Sequence, residues 1–432
     1  MAVAVLAERA KIIVTLEISG SGMFGTNIPV IALAAVLILI AVRQLGEFKL
    51  QIWQIMLLGA LVVLAFGHTT LADAAYAINP DVMIFLGGMF VIGEAMSESG
   101  YLIHLFNKLF FRAKNLDQLL LLILFAMGFL SALLMNDTLA IIGTPFMLYL
   151  ARTLKISPKL LLLTLAFSVT TGSALSPIGN PQNLLIAING NLANPFLVFL
   201  RYLFIPTVVN LLLAYLLLRL FYQNQFQNRP LQICREQIRD PVLAHFARIS
   251  AILLILLISA KILAVTLGIG GDFRLTYIAV LSALPIILFS RQRFDILKNI
   301  DWSTLIFFAA MFVLMDSVWR SGAVQTLLSG NSANFTSIPS ILALSVLFSQ
   351  IISNVPFVAL FQPLLLNPST KDLMALAAGS TIAGNLFILG AASNVIIIQN
   401  AEKSGETLTF LDFARVGVPL TLLNVLVYWM FL

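Results

Sequence analysis

Long apolar runs separated by short polar punctuation dominate this chain. Leu50–Gly67, Leu160–Leu200, Ser321–Thr370, Leu373–Ala401 and Val416–Leu432 contain no Asp, Glu, Lys or Arg. A bilayer crossing takes about 20 mainly apolar residues, and on the order of ten segments reach that length. The runs lack the two-residue alternation of short membrane β-strands. The pattern predicts an all-α polytopic membrane protein.

The polar positions divide the pattern into two similar halves. The longest polar interruption is YQNQFQNRPLQICREQIRDPVLAHFAR, residues 222–248. On either side of it the same words recur in the same order. FKL (48–50) answers FRL (273–275), and MFVIGEAMSESG (89–100) answers MFVLMDSVWRSG (311–322), with Asp316 where the first half has Glu94. MNDT aligns with SNVP, Asn136 against Asn354, and a proline follows nine residues after each asparagine, Pro145 and Pro363. GNPQN (179–183) aligns with GAASN (390–394). The offsets run from 273 − 48 = 225 down to 390 − 179 = 211. An internal duplication explains this order. The expected layout is an N-terminal extension at 1–27, a first repeat at 28–221, a cytoplasmic linker at 222–248 and a second repeat at 249–432.

Basic residues give the halves opposite senses. Cytoplasmic loops collect Lys and Arg. Arg43/Lys49, Lys108/Arg112/Lys114, Arg152/Lys155/Lys159, Arg219 to Arg248, Arg291/Arg293/Lys298 and Lys403/Arg415 fit one side. The residues 68–81 carry no Lys or Arg, and only Arg201, Arg274, Arg320 and Lys371 fall near the other opposite loops. On this reading helix 50–67 ends outside and helix 275–290 ends inside. That is an inverted repeat, a frequent plan of secondary transporters.

Two kinds of irregularity follow. Leu119–Met135 and Leu139–Leu150 are joined only by Asn136–Thr138, too short a link for two full crossings. The expectation is a re-entrant hairpin over 118–151 with its tip at Asn136–Thr138, and a second over 340–370 with its tip at Ser353–Pro356. SALSPIGNPQN and AGNLFILGAASN each interrupt a charge-free helix, over 160–190 and 372–402. Gly and Pro break the hydrogen-bond ladder, and unwound backbone at membrane depth must be buried in protein or line a wet cavity. The broken ends are expected to face the tips. Free carbonyls and amide oxygens there suit Na⁺, and half-helix N-termini suit an anion.

Composition agrees with a membrane protein. The chain has 432 residues, 60% hydrophobic and 10% charged, with mean hydropathy +1.00, whereas soluble domains carry about 25% charged residues. The net charge of +6 needs no nucleic-acid partner. A single cysteine, Cys234, excludes an internal disulfide framework. The first residues, interrupted by Glu8, Arg9 and Lys11, lack a signal-peptide pattern and read as a short extension. There is no nucleotide-binding loop, catalytic-triad order or metal-ligand spacing, so an enzyme is not expected.

Individual polar residues divide into binding candidates and structural ones. Helix capping is the plain alternative for Asn136, Asp137, Thr138, Ser353 and Asn354; recurrence in both halves favours binding. Asp137 has no acidic counterpart, because Val355 stands there. It is the candidate proton carrier or cation ligand. Glu94 and Asp316 are expected to cap helix ends or lie at the interface. Lys261 is expected to snorkel outward. His68, His104 and His245 are expected in loops.

At these residues the sequence resembles the ion transporter superfamily: arsenite permeases, NhaD-type sodium/proton antiporters, divalent anion/sodium symporters and the melanosomal P protein. NDT…TPF is similar to an element of arsenite permeases, SPIGNPQN to the permease branch, and GNLFILGAASNVIIIQNAEKSG to the arsenite-permease and P-protein branches. The resemblance covers about residues 28–432 and is closest to the arsenite-permease-like branch. It implies a homodimer with a scaffold and a transport domain that slides like an elevator. By position it implies one substrate or ion cluster of Asn136, Asp137, Thr138, Gly179, Asn180 and Asn183, and another of Ser353, Asn354, Gly390, Ser393 and Asn394. Na⁺ would fall to Asn136, Gly179, Asn183, Asn354, Gly390 and Asn394, with no other cofactor. The tips depart from the Ser-Asn-Thr of the anion/sodium symporters. The expected function is secondary transport of a small inorganic anion or metalloid acid, arsenite- or silicate-like, coupled to H⁺ or Na⁺ in a prokaryotic inner membrane. The alternatives are Na⁺/H⁺ exchange and Na⁺-coupled carboxylate, sulfate or phosphate symport; a channel stands behind these.

Overall fold

A computed structural model describes residues 28–42, 44–45, 48–49, 51–66, 69–192, 194–226, 238–268, 274–322, 337–365 and 367–432. In chain order its helices are α1 (Ile28–Val42), α2 (Ile52–Ala65), α3 (Leu71–Ala77), α4 (Pro80–Glu98), α5 (Tyr101–Phe110), α6 (Leu116–Leu134), α7 (Asn136–Leu154), α8 (Pro158–Ser173), α9 (Pro181–Asn189) and α10 (Pro195–Phe221). They continue with α11 (Pro241–Thr266), α12 (Leu275–Phe289), α13 (Arg293–Asn299), α14 (Trp302–Arg320), α15 (Ile338–Ile352), α16 (Asn354–Phe361), α17 (Thr370–Ile382), α18 (Ala392–Lys403) and α19 (Phe410–Phe431). Among the described residues the only strands are a two-residue antiparallel pair, Gln44–Leu45 with Phe48–Lys49. The all-α expectation holds. α4, α6, α10, α11, α14 and α19 are long and apolar enough to cross a membrane.

Asx-Pro pairs start several helices. Asn79, Asn180 and Asn194 each accept a backbone N–H three residues on, and Asp240 accepts two. The proline that follows stands at the first helical position, where its missing N–H is no loss.

The chain divides into two compact units. The smaller takes in residues up to Ile78 and Ile306–Ser332. Inside it α1 and α2 pack closely at Gly59, where a Cβ would lie 2.4 Å from Val36 Cγ2. Arg320 pairs with Asp73 (2.9 Å) and with Asp316 one turn earlier (2.8 Å).

The larger unit, Asn79–Leu305 with Ala333–Leu432, is built on two wholly buried helices. Every residue of α8 from Leu160 to Ser173 and of α17 from Leu373 to Ile382 is buried. A helix apolar all round belongs in the middle of a bundle. α6 lies along α8 and α15 along α17. The first crossing is the closer. A Cβ on Gly172 would lie 2.2 Å from Gly128 Cα, and small residues permit such approach. Ser131 donates to the Val169 carbonyl (2.7 Å), and Ser168 donates to those of Leu124 (2.9 Å) and Ile123 (3.2 Å). At the second crossing a Cβ on Gly379 would lie 2.8 Å from Ser345 Cβ. α11 packs on α4 and α12 through a face that includes Ala247, Leu254 and Ile258, and its other faces expose Ile252, Leu256 and Leu263.

Several expectations are corrected. The polar linker ends by Asp240, because its last residues, 241–248, begin α11. His104 and His245 lie in α5 and α11, not in loops. Lys261 does not snorkel: it follows Leu254 and Ile258 on the packed face of α11 and is buried. Residues 1–27, His68 and Cys234 lie outside the described residues.

Candidate functional site

Both predicted tips are sharp reversals; the first lies one residue nearer the N-terminus than expected, and the second falls on Ser353, the first residue of the expected range. α6 and α7 meet at Met135, and α15 and α16 meet at Ser353. Met135 has φ 70°, ψ 144° and Ser353 φ 75°, ψ 156°. This region is almost closed to residues with a Cβ and costs of order 1–3 kcal/mol. Asn136, Asp137 and Thr138 are therefore the first turn of α7, and Asn354, Val355 and Pro356 the first turn of α16. Neither helix has a side-chain cap hydrogen bond, so the capping alternative is not realised. The second arms differ. Pro145 lies inside the 19-residue α7, while Pro363 sits in a 3₁₀ turn just after the 8-residue α16.

Each break is braced from within. Asn180 accepts the Asn183 N–H (2.9 Å) and donates to Ser173 Oγ and Thr381 Oγ1 (both 3.0 Å). Asn183 donates to the Ser173 and Ser176 carbonyls (both 3.1 Å) and accepts from Thr381 (3.3 Å). The Gly179 carbonyl accepts the Asn136 backbone N–H at 3.0 Å, which docks the first tip on the first break. At the second break Gln350 donates to the Ala383 carbonyl (2.7 Å), and Asn394 donates to that of Gly384 (2.6 Å). Several of the carbonyls freed by the breaks are therefore bonded already. Among the side-chain acceptors at the tips and breaks, Asn136 Oδ1, Asp137 Oδ1, Asn354 Oδ1, Gln350 Oε1 and Asn394 Oδ1 are buried without a hydrogen-bond partner. Each such group costs about 1–3 kcal/mol if nothing satisfies it.

The predicted residues separate accordingly. Asn136 reaches both Gly179 and, by a long 3.5 Å contact, Ser393 Oγ, and α7 packs on α18, which carries Ser393 and Asn394. α16, headed by Asn354, packs on α9. Each second arm thus lies against the helix that follows a break, α7 against the second and α16 against the first. Asn180 and Asn183 spend their amides on the fold, and Gly390 makes room for Gln350, whose Oε1 would lie 2.7 Å from a Cβ there.

Asp137 stands apart. It is 8% exposed and lines a small cleft with Thr138, Glu94, Ser97 and Asp301, backed by Phe90 and Ile142. The cleft measures about 40 Å³, room for a few waters. Its lining contains three acids and no base. Glu94 is half-buried in α4 and caps nothing; Asn79 and Ser99 hold the cap positions of that helix. Its repeat partner Asp316 is an ordinary ion-paired acid.

Sequence reasoning missed Asp301, Thr381, Gln350 and Asn385. Asn385 donates to Thr171 and Asn424 (both 3.0 Å). Thr381 and Gln350 are small additions to the scattered serines of mainly apolar helices, a weak signal. Asp301 looks like an N-cap and is one, accepting the Thr304 N–H at 3.0 Å.

The CitMHS family model, described as citrate transporter, matches residues 35–372. The chain belongs to the CitMHS citrate transporter family. This CitMHS chain is 28% identical to a 46 kDa membrane protein of Mycobacterium leprae over 85% of its own length and 90% of that protein's. It is 26% identical to the silicon efflux transporter LSI3 of Oryza sativa subsp. japonica, covering 85% and 89%. It is also 26% identical to the P protein of Mus musculus, covering 88% of this chain and 58% of that one. The crystal structure of the YdaH transporter of Alcanivorax borkumensis shares the fold, with TM-score 0.56 at 14% identity over 94% of this chain and 97% of that one. The ion transporter superfamily resemblance is borne out. The CitMHS chain is an integral membrane transporter and not an enzyme.

Proposed function

We propose that this transporter is a secondary active carrier for a small inorganic anion or metalloid acid, arsenite- or silicate-like, driven by H⁺ or Na⁺ through Asp137. The observation that carries the reading is the asymmetric pair of tips. Both present a buried asparagine with an unpaired carbonyl oxygen, and one adds an unpaired carboxylate. Unpaired acceptors suit a cation, and a buried acid in a membrane transporter is the natural place to couple its charge. The silicon efflux relative supports a neutral or weakly acidic oxyacid as cargo.

The proposal extends to architecture. The near-identical backbone at Met135 and Ser353, and the crosswise packing of α7 and α16 on the helices after the breaks, support an inverted repeat of 28–221 and 249–432. The moving hairpins of an elevator, a homodimer, and a bacterial inner membrane with the linker between Phe221 and Pro241 on the cytoplasmic side complete the reading.

The family description names citrate, which favours a carboxylate cargo; the second reading is therefore symport of a carboxylate such as citrate, with Na⁺ as its coupling ion. A stability screen of the purified chain separates them. Arsenite, silicate, phosphate, sulfate and citrate are each added with and without Na⁺. A ligand at 100-fold its Kd adds about 2.7 kcal/mol to the native state. Stabilisation by silicate or arsenite supports the first reading. Stabilisation by citrate alone, and only with Na⁺, replaces it with the second.

A further inference from the structure

The cleft over Asp137 has an outer wall that the coupling role alone does not use. Three of its lining groups, Glu94, Ser97 and Asp301, are half-exposed, while Asp137 and Thr138 at its inner end are buried. The cleft therefore grades from half-solvated acids to one buried acid. The inner Asp137 Oδ1 has no hydrogen-bond partner, so the cleft ends on an acceptor that is not satisfied by the protein. None of the charged residues on the neighbouring helices brings a base into the cleft lining; α13, which packs on α4 and leads into Ile300 and Asp301, carries Arg293, Asp295 and Lys298, all exposed and outside that lining. α4 contributes Glu94 and, one turn on, the exposed Glu98. The charges of α6, α8 and α18 (Asp117, Lys159, Glu402 and Lys403) sit at the helix ends away from the tip. α5 meets α7 around Phe146, far along that helix from Asp137, through Phe106 and Phe110, so its His104 and Lys108 stand away from the tip.

Gly93 keeps this path narrow. A Cβ there would lie 2.8 Å from Thr138 Cγ2 and 3.0 Å from its hydroxyl. α4 thus presses on the first turn of α7 directly beside Glu94. Among the described residues the second tip holds no equivalent. Val355 takes the place of Asp137, and Asp316, the partner of Glu94, is paired with Arg320.

We propose that Glu94 and Asp301 form an acid-lined vestibule through which a monovalent cation, H⁺ or Na⁺, reaches Asp137, so that the transporter loads its coupling ion at one tip only. The inference rests on Asp137 being the coupling group. Fixed acids along a low-dielectric cleft raise the local cation concentration. They act on how readily Asp137 is filled, not on what happens once it is filled. Glu94 and Asp301 are positioning residues in this sense.

The test uses the full chain in detergent at constant ionic strength, with choline replacing Na⁺. Thermal stability is titrated with Na⁺ at fixed pH, and with pH at zero Na⁺, for the wild type, Glu94→Gln, Asp301→Asn and Asp137→Asn. Asparagine is as good an N-cap as aspartate, so Asp301→Asn removes charge and keeps the Thr304 bond. The expected result is that each outer variant keeps the full amplitude of the responding titration but moves its midpoint by about three- to tenfold, to higher Na⁺ or to lower pH, the range for losing one nearby like charge at intermediate dielectric. Asp137→Asn loses the response. A response to Na⁺ or to H⁺ alone identifies the ion and supports the vestibule if its midpoint moves. Unmoved midpoints in both outer variants, with the response still lost in Asp137→Asn, overturn the vestibule and leave the coupling role standing. A response that survives Asp137→Asn, or that the wild type never shows, overturns both.

Discussion

Met135 and Ser353 hold nearly the same strained backbone, and each is followed by a buried asparagine with an unpaired carbonyl oxygen. At the next position one tip carries Asp137 and the other Val355. The pair separates what the fold needs from what the chemistry needs. Reversal and asparagine recur, so they belong to the architecture. The carboxylate does not recur, and it is the residue that opens on a cleft. The difference also explains the contrast between Glu94 and Asp316: the half with the buried acid leaves its second acid facing the cleft, and the other half neutralises its second acid with Arg320.

The largest expected effect concerns the crossings that hold the two hairpins. Gly172→Ala sets a methyl against the Gly128 backbone at 2.2 Å, which cannot yield, whereas Gly379→Ala meets the Ser345 side chain. Overpacking costs typically 1–3 kcal/mol where side chains can adjust. Gly172→Ala is expected to yield aggregated material on size-exclusion chromatography, and Gly379→Ala to give a folded peak with a lowered Tm. Equal behaviour would remove the claim that the first crossing is the tighter.

Exchange of the tip residues comes next. Val355→Asp buries a second carboxylate with no preformed cleft and is expected to destabilise by about 3 kcal/mol, the cost of an aspartate at mid-membrane, without creating a second Na⁺ or pH response. Asp137→Asn removes a desolvated charge and is expected to keep or raise Tm while abolishing that response. A new response in Val355→Asp would show that the two tips are chemically interchangeable.

The strained residues differ in what a glycine would cost. Ser353→Gly relieves the backbone and loses only a half-exposed hydroxyl, so Tm should rise by the equivalent of about 1 kcal/mol. Met135→Gly relieves the same strain but gives up a fully buried side chain, about 1.5–3 kcal/mol, and Tm should stay level or fall. Thermal unfolding followed by intrinsic fluorescence reads both.

The smallest effect lies in the network around Asp316. Asp73 is held below the usual carboxylate range by the Thr70 hydroxyl first and then by Arg320. A depressed acid stabilises the fold above its unfolded value and loses that contribution as pH falls through its folded value. Asp73→Asn should therefore change Tm slightly at neutral pH and not at all in strongly acidic buffer. A difference that grew towards acid pH would reverse the sign of this account.

Much of the fold was legible because membrane helices announce themselves. Charge-free runs mark most helices, and the repeated words bring both hairpins and both breaks to within a few residues. The first tip lies one residue before its expected place because nothing in LLMND marks Met135 as the turning point; no glycine stands where a positive φ is required. The binding set was legible as a neighbourhood, not atom by atom. Asn180 and Asn183 look like ligands in GNPQN, yet Ser173 at the start of the same segment and Thr381, distant in sequence, consume their amides. Lys261 was misread because a single lysine in an apolar helix shows its burial only once the helix has a packed face. Asp301 was hidden because its capping bond to Thr304 is a sufficient local reason for an aspartate, and its place on the cleft comes from tertiary packing.

The account turns on Asp137 being the coupling group, and flux into proteoliposomes tests that most directly. The cargo is the solute selected by the stability screen, and uptake is measured with and without an imposed pH or Na⁺ gradient for the wild type and Asp137→Asn. The predicted result is gradient-accelerated uptake in the wild type and equal, slower uptake under both conditions in Asp137→Asn. Gradient-driven uptake that persists in Asp137→Asn would contradict the account.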